Sequence, residues 1–222
     1  DRRFEAKERI NSNGEIIKPL DELELAKVFD AIEQCTADSV AVCCLFSFLN
    51  KETEFRIEEL FKQRFPELPL SLSSRVRPEF REYERCSTTV LNAYLQPVMD
   101  HYLIHLEKEM KGYIPDAPLR IYQSSGGLMS IETSKAFPIR TALSGPAAGA
   151  VGAVHSAHKS SRPNIATLDM GGTSADVALV RNYDLGISSD RDVAGFPVKL
   201  PMVDIHTVGA GGGSIAWLER DG

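Results

Sequence analysis

The sequence predicts an α/β protein. Residues 38 to 73 read as strand, helix and strand, residues 87 to 111 repeat apolar side chains at helical spacing, and the second half turns to short β-branched runs broken by glycines. Asp38 to Phe48 is a near-continuous run of Val, Ala, Cys, Leu and Phe, the pattern of a strand buried on both faces. The charged stretch from about Glu52 to Phe65 is expected to be a helix, ended by Pro66 because proline cannot continue the hydrogen-bond ladder. Leu68 to Ser73 is a second strand, so the three elements form a β-α-β unit with parallel pairing. Ser87 to Lys111 places Leu91, Leu95, Val98, Tyr102, Leu106 and Met110 on one helical stripe, with Gly112 set to stop the helix and Pro97 to kink it.

Leu119 to Gln123 reads as a strand entering the loop Ser124-Ser125-Gly126-Gly127. Ser144-Gly145-Pro146 opens a helix that continues to about His158, since serine can cap and proline is tolerated in the first turn. Ile165 to Met170 and Ser174 to Val180 form a hairpin around Gly171-Gly172. Met202 to Val208 is a further strand, followed by Gly209 to Ser214 and a short segment ending near Leu218. The shift toward Gly, Ala and Ser suggests a boundary near residue 140.

Composition narrows the function. With 222 residues, 43% apolar and 25% charged, the chain can bury a core. Its 25 basic residues against 31 acidic ones leave a net charge of -6, and the basic residues are scattered, which argues against a nucleic-acid partner. The longest apolar run, Val40 to Leu49, is too short to span a bilayer, and no signal peptide opens the chain, so no membrane contact and a cytoplasmic location are expected. Cys35, Cys43, Cys44 and Cys86 lack CxxC spacing and are expected to be reduced, structural thiols. Asp1 and the final Asp221-Gly222 have the look of cut ends, and an excised segment is expected.

Three glycine runs carry the chemistry. Asp169 to Asp176 sets an acid at a strand end, the Gly171-Gly172 turn, the hydroxyls of Thr173 and Ser174, and a second acid. Glycines let backbone N–H groups converge on a phosphate, and the hydroxyls add neutral donors. An unpaired carboxylate at the end of an apolar strand wants a cation, which a phosphate-bound Mg²⁺ supplies. Asp169 and Asp176 are therefore candidate catalytic residues, with an ordinary hairpin carrying surface acids as the alternative. The run Gly209-Ala210-Gly211-Gly212-Gly213-Ser214 matches neither the dinucleotide fingerprint nor the P-loop. Its Gly211, Gly212, Gly213 and Ser214 are candidate ligand contacts, or a flexible turn. In the third run, Ser144 and Gly145 open a helix whose free N–H groups can face an anion, whereas Gly149 and Gly152 are better explained by a helix pressed against a sheet.

Other polar groups rank lower. Asp204 and His206 alternate onto one strand face and, with Asp169, are candidate metal ligands for Mg²⁺ or a second divalent metal. His101 with His105 and His155 with His158 are expected on solvated helix faces, and the Arg81 to Arg85 cluster is expected to be a solvated or interlobe salt-bridge surface.

Taken together and in this order, Val40-Ala41-Val42 with Phe46-Ser47-Phe48, Arg81 to Arg85, Ser87 to Leu95, Gln123 to Gly127, Ser144 to Ala147, Asp169 to Asp176 and Asp204 to Ser214 resemble the hydantoinase A/oxoprolinase family over most of the chain. Arg81 to Arg85 and His206 look more like its hydantoinase A branch. Cys86, where Thr is expected, and Ser125, where Asn is usual, depart from the pattern without touching the glycine loops.

The resemblance implies a ribonuclease-H-like, actin-like ATPase fold whose two lobes clamp a nucleotide. Residues 1–140 would be the later part of the first lobe and residues 141–222 the start of the second, with its phosphate hairpin and glycine-rich loop. The first lobe's own Asp-x-Gly-Gly-Thr is absent from this sequence, which makes the chain a central segment without turnover by itself. The implied activity is hydrolysis of a cyclic amide of hydantoin or oxoproline type, with ATP phosphorylating the ring carbonyl and a hydantoinase B-type partner. An ATP-dependent ketone carboxylase or a non-catalytic nucleotide-binding module are the alternatives.

Overall fold

A computed structural model describes residues 2–193 and 195–217. The chain divides into two units that interleave along the sequence: residues 1–119, 130–139 and 190–200 form the first, and residues 120–129, 140–189 and 201–222 the second. Composition alone suggests a single boundary near residue 140.

The first unit opens with a two-stranded antiparallel ribbon, β1 (Arg9–Ile10) and β2 (Ile16–Lys18), turned through Gly14 at φ +83°. Helix α1 (Glu22–Gln34) follows, absent from the sequence reading although its signals are present. The Asp21 side chain accepts from the Glu24 N–H at the N-terminus, and Leu25, Phe29 and Ile32 make one buried stripe. The β-α-β unit is observed as β3 (Val40–Val42), α2 (Glu52–Arg64) and β4 (Leu70–Leu72), with the strands parallel and Val40 opposite Leu70. Residues 45–49 are turn, however, with Phe46 at φ +59°, so the expected strand to Phe48 stops at Val42. Of the apolar run, Cys44, just ahead of that turn, joins Leu25, Phe29, Ile32, Ile57 and Phe61 in the core, with Phe29 edge-on to Phe61.

A single turn, α3 (Ser73–Val76), leads to α4 (Glu82–Tyr113), which begins earlier than expected and contains Pro97. Its buried face is not the apolar stripe. Arg85, Thr88, Thr89, Asn92, Ala93, Gln96 and Leu103 are buried, while Val98 and Tyr102 are exposed. The polar residues are tolerated inside because they are hydrogen-bonded. The Asn92 amide donates to Ser71 Oγ at 2.9 Å and to the Ala136 carbonyl of α5 (Ile131–Ala136) at 3.0 Å, and Ser71 donates to Gln96 at 2.8 Å. Arg85 is buried rather than solvated, whereas Arg81 is exposed and pairs with Glu84 and Asp190. His101 and His105 lie exposed on α4 as expected.

The second unit contains the short antiparallel pair β5 (Ile121–Tyr122) and β6 (Leu128–Met129), then α6 (Ser144–Lys159). Leu143 at φ +60°, not Ser144, occupies the cap position, and no side chain caps this helix. The hairpin β7 (Ile165–Met170) and β8 (Ala175–Arg181) is antiparallel, as its Gly-Gly turn predicts. β9 (Asp184–Leu185) pairs with β8. β10 (Ile187–Val193) and β11 (Phe196–Val203), absent from the sequence reading, pair with each other, and their residues 190–200 belong to the first unit. β12 (Ile205–Val208) adds antiparallel to β8, giving the order β12-β8-β7. Small residues of α6, Ala147 and Ala150, meet Ala178, Val203 and Ile205 beneath this sheet. His155 and His158 are exposed, and the segment expected to end near Leu218 falls partly outside the described residues. Among the described residues no helix is long and apolar enough to cross a membrane.

Candidate functional site

The β12-β8-β7 sheet aligns three side chains in one row. Its register sets Thr207 opposite Asp176 and Asp176 opposite Asp169, and residues directly opposite across antiparallel strands share a face. Thr207 Oγ1 donates to Asp176 Oδ1 at 2.5 Å. Two carboxylates directly opposite repel each other, and one hydroxyl donor does not neutralise them. The pair is therefore suited to a cation, and hard divalent ions take such oxygens with one or two carboxylates and otherwise phosphate and water.

The same face opens on a cavity of about 390 Å³ lined by Asp169, Asp176 and Thr167 of the hairpin and by Pro146, Gly149, Ala150 and Ala153 of α6. A Cβ built on Gly149 or Gly152 meets nothing within 4 Å, which corrects the expectation that close packing accounts for these two glycines. The tightly packed small residues of α6 are its alanines, and Gly149 instead leaves room in the cavity wall. Gly145 and Gly172 likewise border open space. At the start of α6, Ala147 N–H reaches the Leu143 carbonyl at 3.2 Å. The amides of Ser144 and Gly145 lie in the first turn of α6, where a helix start can receive an anion.

The two glycine loops are joined to each other. Gly171 N–H closes the hairpin turn onto the Ser174 carbonyl at 2.9 Å. Gly212 N–H then donates to the Gly171 carbonyl at 2.9 Å, and Gly213 N–H to the Gly172 carbonyl at 3.2 Å. Ser214 closes the second loop on itself, donating from its N–H to the Gly211 carbonyl and accepting at Oγ from the Gly211 N–H. All four amides from Gly211 to Ser214 are thus engaged, those of Gly212 and Gly213 by carbonyls of the hairpin and those of Gly211 and Ser214 within their own loop. A Cβ on Gly211 would stand 2.5 Å from Thr173 N and 2.6 Å from the Gly172 carbonyl carbon, both rigid backbone. Gly211→Ala is therefore expected to pry the loops apart and to cost about 1–3 kcal/mol. Hydrogen exchange should quicken at the amides of Gly212 and Gly213, and unchanged exchange there would show that the loops do not depend on this contact.

Asp204 and His206 are placed differently from the expectation. Asp204 precedes β12, its N–H donating to the Gly186 carbonyl at 2.7 Å. His206 lies opposite Val177, one residue out of step with Asp176, and so on the sheet face away from Asp169. Among the described residues no group of three His, Cys, Asp or Glu side chains gathers to hold a metal ion. The register thus separates Asp169 and His206 and brings Asp169 to Asp176 instead. Thr167 and Thr207 were not singled out from sequence and Gly149 was assigned to packing, since only the strand register and the helix position put them beside the two acids.

The hydantoinase/oxoprolinase family profile matches residues 85–222, and that of the hydantoinase/oxoprolinase N-terminal region matches residues 1–65. The chain belongs to the hydantoinase/oxoprolinase family. It is 34% identical to caprolactamase subunit alpha of Pseudomonas jessenii, over 96% of this chain and 31% of that protein. It is 35% identical to the acetophenone carboxylase gamma subunit of Aromatoleum aromaticum, over 97% of this chain and 30% of that one. The crystal structure of the ATP-dependent caprolactamase from Pseudomonas jessenii superposes with a TM-score of 0.85 at 33% identity, covering 97% of this chain and 31% of that one. The chain thus has the α/β fold of that enzyme and spans just under a third of the length of these relatives.

Proposed function

We propose that the whole protein carrying this chain is an ATP-using enzyme that opens a cyclic amide. The observation that supports this most is the row of Asp169, Asp176 and Thr207 beside the glycine turn, facing a cavity at the start of α6. In this reading the units are parts of two ribonuclease-H-like lobes of an actin-like ATPase. Backbone N–H groups of Gly172 to Ser174, the Thr173 and Ser174 hydroxyls and the Ser144 and Gly145 amides receive phosphate oxygens. Asp169 and Asp176 hold a phosphate-bound Mg²⁺, which when present neutralises charge on the transferring phosphoryl group. Gly211 to Ser214 hold the hairpin turn from the other side.

Phosphorylating the ring carbonyl oxygen turns a poor leaving group into a good one and makes the carbon electrophilic for water. The chain's task is to orient the phosphates so that this transfer outruns ATP hydrolysis. The similarity to the acetophenone carboxylase gamma subunit favours a second reading, in which the same activation serves carboxylation of a ketone. In either case a hydantoinase B-type subunit is the proposed partner, in the cytoplasm. The deciding experiment measures phosphate release by the full-length protein with its partner, offered lactams and hydantoins in one arm and ketones with bicarbonate in the other. Release stimulated by the cyclic amides alone supports the first reading, release with ketones the second, and stimulation by neither sinks both.

A further inference from the structure

Helix α4 carries two seams. Its polar seam, from Arg85 through Asn92 to Gln96, lies inside the first unit, where the helix packs on β3, β4, α3 and α5. The apolar stripe marked out by helical spacing, Leu91, Leu95, Val98, Tyr102, Leu106 and Met110, contains no buried residue. Val98 is 68% exposed, and Tyr94 one turn before it 74%. Tyr83, Val90, Tyr94, Val98 and Tyr102 follow one another at steps of seven and four residues, so these exposed side chains share one face of the helix.

That face does not have the composition of a solvated one. Between Arg85 and Glu107 the sequence contains no Lys, Arg or Glu and a single Asp, and this Asp100 pairs with Lys135 of α5 at 3.6 Å. A solvated helix face carries charges, whereas depletion of charge with enrichment of tyrosine belongs to the centre of an interface.

We propose that a helix from the part of the same polypeptide lying outside these 222 residues packs along this face. Two observations select that occupant. The chain spans 31% of caprolactamase subunit alpha, so over two-thirds of a protein of that length lies outside this stretch. The second is area. From Tyr83 to Tyr102 the face is roughly 29 Å long and about 10 Å wide, on the order of 300 Å². A stable contact between separate chains takes about 800 Å² from each side. The face is therefore too small to hold a second copy or a separate subunit against the loss of free tumbling. A segment of the same polypeptide is kept at high effective concentration by its own chain, and a smaller apolar contact suffices. The fitting partner is an amphipathic helix that lays aliphatic side chains between the Tyr83, Tyr94 and Tyr102 rings and offers acceptors at the rim to their hydroxyls. Hydrophobic spacing then marks a true core seam of the whole protein, independently of what the glycine loops bind.

The test uses the full-length protein together with its proposed partner subunit. p-Benzoylphenylalanine is placed at Tyr94, and in a second variant at Tyr102, and irradiated. Each should cross-link within its own polypeptide to a residue outside this 222-residue stretch, leaving the subunit at its monomer mass on a denaturing gel and the joined peptides identifiable by mass spectrometry. Val98→Cys, a small change checked for fold by circular dichroism, reads coverage of the face separately. Iodoacetamide should alkylate the introduced thiol at least about tenfold more slowly in the native protein than in urea. Protection below that, or no cross-link from either position, would overturn the proposal. So would a cross-link to a second copy, to the partner subunit or to another residue of this stretch.

Discussion

Changing Asp169 to Asn in the full-length protein should lower ATP turnover at saturating Mg-ATP by roughly two to three orders of magnitude while leaving the fold intact. The substitution keeps the size and hydrogen-bonding shape of the side chain and removes one negative charge. Asp169 is exposed near the end of strand β7, so it contributes little packing, and the charge it loses lies opposite Asp176. If the hairpin were only structural, relieving that repulsion would stabilise the protein slightly and leave catalysis alone. The two readings therefore move in opposite directions. Steady-state phosphate release, run beside a melting curve, separates them: near-wild-type turnover in a well-folded variant would falsify the assignment of Asp169 to a metal-phosphate site. Asp176→Asn gives a graded comparison, because Thr207 already donates to that carboxylate and would still have an amide oxygen to bond.

The candidate site was partly legible because its core is local. An acid, two glycines, two hydroxyls and a second acid within eight residues specify a turn, and a hairpin turn sets its own register, so Asp169 and Asp176 had to come together. What was not legible depends on distant strands. Thr207 reaches Asp176 only because β12 adds to β8 in one register, and a shift of one residue would have presented His206 instead. The docking of Gly211 against the Gly171-Gly172 turn is a contact between backbones, about which side-chain patterns carry no information. In the first unit the β-α-β order followed from period and length, yet α4 turned its polar seam inward. Hydrophobic spacing marks Val98 and Tyr102 as core and cannot see that Asn92 and Gln96 find partners on β4 and α5. Lys199 on β11 is buried for a similar reason, its ammonium 4.3 Å from the centre of the Phe80 ring and near Glu79.

Arg85 is where that inward polarity should matter most. Its guanidinium is buried and donates to the Cys44 carbonyl, the Glu79 carbonyl and Ser73 Oγ, with Phe48 packed against its face at 5.3 Å. Ser73 in turn donates to Glu54 at 2.6 Å, and Glu54, also fully buried, accepts from the Cys44 and Ser74 N–H groups. One hydroxyl thus links an interior cation to an interior carboxylate. Arg85→Met keeps much of the stem volume but leaves Glu54 without that cation and two carbonyls without a donor. Breaking a buried pair from one side costs about 3–5 kcal/mol. Amides of β3, β4 and the first turns of α4 should then exchange roughly two to three orders of magnitude faster in the full-length protein. Glu82, which meets Arg85 at 3.3 Å from a more exposed position, provides the control: Glu82→Gln should cost no more than about 1 kcal/mol. The double variant Glu54→Gln with Arg85→Met should cost less than the sum of the two single changes, because neither charge is then left alone. Strict additivity in that cycle would show that the carboxylate and the guanidinium do not act as one buried unit, and that Arg85 holds α4 through its carbonyl contacts alone.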